Sequence, residues 1–501
     1  MTAHVLISAN TTPSEGKYVD SHYETERTGK FRDREVAYTV SLDLLPANGA
    51  SGEQLGTASV FSYVAREEAG AAAQRPVVFL FNGGPGTSSV FLHFSGIGPL
   101  RAGFSDDLDA GNLPPYVLEE SPSSVLATAD LVFIDPVNSG LGRVLPGVDG
   151  EELFSVEGDA RCFADLIGQW LSRHGRWQSP KYLVGESYGT IRAAFVATAL
   201  HSTRSIPVDG IVLLSQIVNL QDVFERPGNI TGALASLPYQ AATAWYHKVG
   251  STAHETPDEA ALAAVEFGVS TYATALARGN RLGDQELHAV ADALSKITGI
   301  PAQRYVRDRL WLSTTEHTKS LLPGRLVGAP DSRYTSAVAD STIGEAPFDA
   351  AYTALIPAYA AAVASFVHSE LGVPTDVRYR VSDPTAVGRW DWEEAGSERF
   401  PRIGKPGPAR VYPYPAQLTK YLKQVRQARL FIGTGLYDSV TTVGTADHLL
   451  RQYPLPEDRV VSRWYRSGHM MYSDADAARA LADDLDVFFM PCLDAREGAT
   501  R

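Results

Sequence analysis

Five short runs of near-continuous apolar residues set the tightest limit on what this chain can fold into. They are Pro76–Phe81, Ala129–Asp135, Lys181–Val184, Asp209–Leu214 and Ala428–Ile432, and each ends in a polar or glycine-rich turn. A strand with one wet face alternates apolar and polar residues; runs without alternation belong to strands buried on both faces, as in a largely parallel sheet. Helical patterns at Phe154–Arg173, Ile191–Ser202 and Thr442–Arg451 fall between or after them. Strand alternating with helix predicts a doubly wound α/β core. From Tyr38 to Val64 the apolar positions alternate between breaks at Pro46, Gly49 and Gly52, the texture of a hairpin meander opening the sheet.

Between Ile217 and about Val381 the strand texture gives way to Ala-rich amphipathic stretches at Asp258–Ala277, Asp284–Ile297 and Ala346–Ser369. Parallel texture returns at Ala428, so the helical segment interrupts one sheet instead of following a finished domain. A chain of 501 residues exceeds what one core supports, and this insert is where the excess lies. The expected organisation is a core from residues 1–216 and 382–501 with a mainly helical cap at 217–381.

Composition narrows the function classes. Lys plus Arg is 44 against 58 Asp plus Glu, a net charge of −14, which argues against a nucleic-acid partner. Cys162 and Cys492 allow at most one disulfide and lack metal-ligand spacing. Met1 to Val40 is polar and carries no apolar run, so no secretory signal or membrane anchor is read there and a cytoplasmic location is expected. Ala354–Val367, the longest apolar stretch, holds Pro357 and is too short to cross a bilayer, so no membrane partner is expected. Oligomeric state is not legible in the residues.

The run Lys181–Val184 leads directly into Gly185-Glu-Ser-Tyr-Gly189 and then a helical pattern from Thr190. This is G-x-S-x-G in its strand–turn–helix context, where two glycines permit a turn tight enough to hold the Ser187 hydroxyl above the sheet at a helix N-terminus. Amides and the dipole there favour the negative charge that develops when a carbonyl is attacked. A second amide must come from a loop after an early strand. Phe81-Asn-Gly-Gly-Pro-Gly-Thr-Ser-Ser89 fits neither phosphate-cradling pattern and sits at that place, making the amides of Gly84 and Tyr188 the candidate oxyanion hole.

In such a fold the acid and base follow the nucleophile in that order, each after a late strand. Asp438 lies in Gly433-Thr-Gly-Leu-Tyr-Asp-Ser439 after one strand, and His469 in Arg466-Ser-Gly-His-Met470 after the next, Arg459–Tyr465. His469 is then the general base for Ser187, and Asp438 fixes its tautomer, with an acyl-enzyme passed to water. No metal or cofactor is needed, and His254-Glu255 lacks the second His of a zinc-protease motif.

From about Val60 to Phe489 these residues resemble the serine carboxypeptidase family of the α/β-hydrolase fold. Asn82-Gly-Gly-Pro-Gly-Thr-Ser-Ser89, Leu131-Val-Phe-Ile-Asp-Pro136, Gly185-Glu-Ser-Tyr-Gly189, the Asp438 loop and Ser467-Gly-His469 carry the likeness. The resemblance implies a peptide substrate whose C-terminal carboxylate is held by Asn82, Gly83 and Glu186. Glu186 must then share a proton with that carboxylate, which accords with the family's preference for acid conditions. Secreted members pair this Glu with a second one, fourteen residues after the loop Asn, where this chain has Gly96; Thr87 stands in place of a family Cys. Three readings compete: a prolyl iminopeptidase-like aminopeptidase, an esterase or acyltransferase acting on a small acyl substrate, and a catalytically dead binding protein.

Overall fold

The computed structural model describes residues 22–66, 74–104, 108, 113–251, 253–338, 349–392 and 414–490. Nine strands make one sheet: β1 (His22–Phe31), β2 (Arg34–Asn48), β3 (Gln54–Ala65), β4 (Val77–Phe81), β5 (Asp130–Ile134), β6 (Lys181–Glu186), β7 (Gly210–Leu214), β8 (Arg429–Gly435) and β9 (Val460–Tyr465). Their spatial order is β1-β2-β3-β5-β4-β6-β7-β8-β9. The first three strands and the β3/β5 pair are antiparallel. Every later neighbour is parallel. This is the α/β-hydrolase fold.

The apolar runs have a direct packing cause. Successive side chains of a strand point to opposite faces, and in β4 Phe79 and Phe81 enter one core with Val132 and Ile134 of β5. Val78 and Leu80 enter the core on the other face with Leu131 and Phe133. Both faces are covered, so no position in β4 or β5 can be polar without cost except Asp130 at the strand start. Each fully buried side chain of this size contributes roughly 1.5–3 kcal/mol of transfer free energy.

α1 (Val156–Arg173) and α2 (Tyr188–Arg204) pack on the first of these cores. The Ser155 hydroxyl accepts from the Gly158 amide at 3.0 Å and so caps α1. Between β7 and β8 the chain forms helices at Ile230–Tyr246, Pro257–Phe267, Ala273–Arg278, Asp284–Thr298, Ala302–Arg307, Thr314–Ser320 and Ala350–Ser365. Leu237, Ala241, Leu276, Leu294 and Tyr305 give the earlier ones a core of their own. Ala350–Ser365 instead buries Leu355, Tyr359 and Val363 against the sheet core.

Two details differ from the sequence expectations. β1 lies N-terminal of the expected meander; its alternation of exposed and half-buried polar residues leaves little hydrophobic pattern to detect. The helical stretch expected at Ala346–Ser369 runs through Pro357 as a continuous helix Ala350–Glu370, and at 21 residues it is, unlike the Ala354–Val367 run taken alone, enough by length and composition to cross a membrane. It contributes Ala351, Leu355, Ala358, Tyr359, Ala362 and Val363 to the protein core. Cys162 is buried and free, and Cys492 lies outside the described residues.

Candidate active site

The C-terminal ends of β4, β6, β8 and β9 carry four loops at one edge of the sheet, the edge where ligands of parallel sheets bind. Ser187 caps α2 with φ 58° and ψ −127°, a conformation side chains seldom adopt. The turn is tight because a Cβ at Gly185 would stand 1.9 Å from the Gly189 carbonyl oxygen. The Ser187 amide donates to the Leu214 carbonyl at 3.0 Å. Within Lys181–Thr190 only Ser187 is not fully buried, so the turn holds this one side chain up toward solvent.

The loop after β4 lies against that turn. A Cβ at Gly83 would be 2.4 Å from the Tyr188 amide nitrogen, so only glycine permits this approach of the two backbones. Gly84, next in the loop, has φ 107°. The amide of Tyr188 opens α2, where the first amides have no intrahelical acceptor. Loop and elbow are tied from below by Arg192, which forms a buried ion pair with Asp159 at 2.7 Å and donates to the Asn82 carbonyl. Its guanidinium lies 5.2 Å from the centroid of the Tyr188 ring.

Asp438 and His469 are brought together by β8 and β9. His469 Nδ1 lies 2.7 Å from Asp438 Oδ2. Asp438 is fully buried and its carboxylate also accepts from the amides of Val440 and Thr441 and from the Thr441 hydroxyl, at 2.8, 3.1 and 2.6 Å. Four donors hold the carboxylate in one orientation. The Ser215 hydroxyl donates to the His469 carbonyl at 2.7 Å. Ser187 and His469 are therefore anchored to successive residues, Leu214 and Ser215, at the end of β7. Burial pulls the His469 pKa down, but the charge and hydrogen bond of Asp438, with Glu186, outweigh it and raise it above 6.5.

Glu186 precedes Ser187 and is 2 % exposed. Asn82 Nδ2 donates to its Oε1 at 2.7 Å, while Asn82 Oδ1 accepts from the Leu92 amide at 3.0 Å. Burial raises the Glu186 pKa to about 7 against the opposing pull of His469, Tyr472 and Asn82. The eight candidate residues thus occupy three adjoining loops and the elbow itself. Gly96 lies apart from them: a Cβ there would point at the Ser121 hydroxyl, 3.1 Å away.

Three supporting groups carried no sequence signal. They are the Arg192–Asp159 pair, Thr441, and Arg333, which bonds Asp331, Asp474, the Ser467 hydroxyl and the Arg466 carbonyl around the His469 loop. Among the described residues, no group of three or more His, Cys, Asp or Glu side chains is placed to hold a metal ion. The arrangement offers a hydroxyl, a base oriented by a carboxylate, backbone amides for an oxyanion, and a protonatable carboxyl beside them.

A family model described as serine carboxypeptidase matches residues 53–254. No curated protein matches the chain. Among solved structures, it is similar to Kex1(delta)p, a prohormone-processing carboxypeptidase from Saccharomyces cerevisiae, with 14% identity over 90% of this chain and 92% of that one and a TM-score of 0.54. A proline iminopeptidase from Mycobacterium smegmatis aligns with 12% identity over 93% of this chain and 97% of that one, with a TM-score of 0.36. The first likeness shows the shared fold.

Proposed function

We propose that this chain, which a serine carboxypeptidase family model matches over residues 53–254, is a serine carboxypeptidase that releases the C-terminal residue of peptides by acyl transfer through Ser187. The observation that carries this reading is the buried hydrogen bond between Asn82 and Glu186, one residue from the nucleophile. A hydrolase with no carboxylate to bind has no use for a costly buried carboxyl at that point.

In the proposed reaction the Ser187 hydroxyl attacks the scissile carbonyl as His469 takes its proton. Charge on the carbonyl oxygen is received by the amides of Gly84 and Tyr188. The imidazolium, steadied by Asp438, returns the proton to the leaving amine, and the C-terminal amino acid departs. Water, deprotonated by His469, then releases the acyl group. Asn82, Gly83 and a protonated Glu186 hold the substrate carboxylate, which sets the last peptide bond over Ser187. The helices between β7 and β8 are the proposed source of side-chain selection.

The deciding experiment compares a free-acid peptide with its C-terminal amide by mass spectrometry across roughly pH 4–8. Loss of single residues from the C-terminus of the free acid, with slow cleavage of the amide, is expected. Equal cleavage of both, or release from the N-terminus, would overturn the carboxypeptidase reading.

A further inference from the structure

Asp135 directly follows β5, at the sheet edge that carries the triad, and is fully buried. Its Oδ1 accepts from the amide and the hydroxyl of Ser89, both at 2.7 Å, and from the Tyr379 hydroxyl at 3.2 Å. Its Oδ2 accepts from the Ser59 hydroxyl at 2.7 Å. Burying a carboxylate is costly, and all four groups that compensate it are neutral donors. Two of the four belong to Ser89, the far end of the glycine loop. The near end, Asn82, is fixed by Arg192 and by the Leu92 amide. Gly83, Gly84 and Gly86 lie between, the last two with φ of 107° and 86°, and backbone of this kind keeps its freedom unless something outside it supplies restraint. The segment Tyr379–Asp383, returning from the helices between β7 and β8, pairs with the loop. The Ser88 amide donates to the Val381 carbonyl and the Asp383 amide to the Gly86 carbonyl, both at 2.9 Å. Through Tyr379, one carboxylate therefore ties the loop and the segment paired with it to the end of β5.

We propose that Asp135 is a positioning residue for the oxyanion hole: by holding Ser89 and Tyr379 together it fixes the glycine loop where the Gly84 amide meets the developing oxyanion. The proposal rests on the acyl-transfer reading above. Donors stabilise a transition state most when they stand in place before the charge appears, because no energy is then spent on moving them during reaction. A loop with three glycines in five residues meets that condition only when both of its ends are held. Arg192 holds one end and Asp135 the other. Asp135 acts through Ser89 and not on the substrate, so its loss should be felt in the transition state and not in ground-state binding.

The test compares full-length Asp135→Asn and Tyr379→Phe with the parent enzyme, measuring kcat and KM for a free-acid peptide and Ki for a peptide aldehyde and the matching alcohol. The aldehyde carbon bonds to the Ser187 oxygen while the Ser187 proton passes to His469, which leaves the aldehyde oxygen as an oxyanion in the hole; the alcohol binds without that step. Asp135→Asn should lower kcat about 10²-fold with KM within about threefold, and should weaken the aldehyde by a similar factor while the alcohol stays within about twofold. Tyr379→Phe, which keeps the carboxylate, should move the same quantities by about tenfold, the loss of one hydrogen bond to a charged group, and carries the test if Asp135→Asn does not fold. A merely structural role would reduce the fraction of active enzyme and leave the aldehyde affinity of that fraction at the parent value. That result, or a rise in KM and in the alcohol Ki with kcat retained, would overturn the assignment. A parent enzyme that binds the aldehyde no tighter than the alcohol would overturn the acyl-transfer reading itself.

Discussion

Arg192 and Asp159 form an ion pair 2.7 Å apart beneath the nucleophile elbow, with the arginine fully buried and the aspartate 4 % exposed. Arg192 also reaches the Asn82 carbonyl, so one guanidinium joins α1, α2 and the glycine loop. Removing one partner leaves the other charge buried and uncompensated, which costs about 3–5 kcal/mol. Asp159→Ala should lose that much in urea unfolding, and Asp159→Leu with Arg192→Met should recover a large part of it. A double variant no more stable than Asp159→Ala would show that the pair is not what holds this region.

The four donors around Asp438 make a separate prediction about chemistry. Asp438→Asn preserves shape but presents an amide to His469 Nδ1, which favours the wrong tautomer, and a kcat loss of roughly 10⁴-fold is expected. Labelling of Ser187 by a fluorophosphonate should slow in parallel. Labelling at the parent rate would remove His469 from the role of base.

How much of this was legible in the residues differs by element, and for physical reasons. The strands ending before Ser187 and Asp438 were visible because burial on both faces leaves unbroken apolar runs and because the turns that follow are rich in glycine, whereas the half-exposed strand Val460–Tyr465 before His469 was placed by the order of the chain. β1 was not, since an edge strand with polar residues on its exposed face has no such run. Arg192 and Arg333 were invisible for another reason. Their partners lie far along the chain, as Arg333 does from Ser467 and Arg192 from Asn82, and only the folded sheet makes them neighbours.

Arg333 lies between β7 and β8, yet it fastens the loop of His469, the proposed base. It bonds Asp331 and Asp474 and reaches the Ser467 hydroxyl and the Arg466 carbonyl, both at 3.1 Å. Arg333→Ala frees that loop, and misplacement of His469 by about 1 Å is expected to lower kcat on the order of 10²-fold. KM should stay within about threefold, because the proposed carboxylate site is on other loops. A large rise in KM with kcat retained would contradict the positioning role.

The pH dependence follows from Glu186 and His469, whose charges interact beside Ser187. Burial raises the Glu186 pKa from 4.5 to about 7, so the carboxyl carries its proton at and below neutrality. The folded state therefore binds more protons than the unfolded one between 4.5 and about 7, and the stability Glu186 contributes is lost as pH rises through that window. Ionised Glu186 also repels the substrate carboxylate, so KM for free-acid peptides should climb as pH passes about 7. His469, raised above 6.5, must be neutral to act as base and so limits kcat on the acid side. The two groups titrate as a coupled pair, giving a narrow maximum in kcat/KM near neutrality for free acids. The Glu186→Gln variant should lose the alkaline rise in KM and the stability slope together, while the acid limb in kcat remains. Persistence of the alkaline rise in that variant, measured from roughly pH 6 to 9, would assign it to a group other than Glu186.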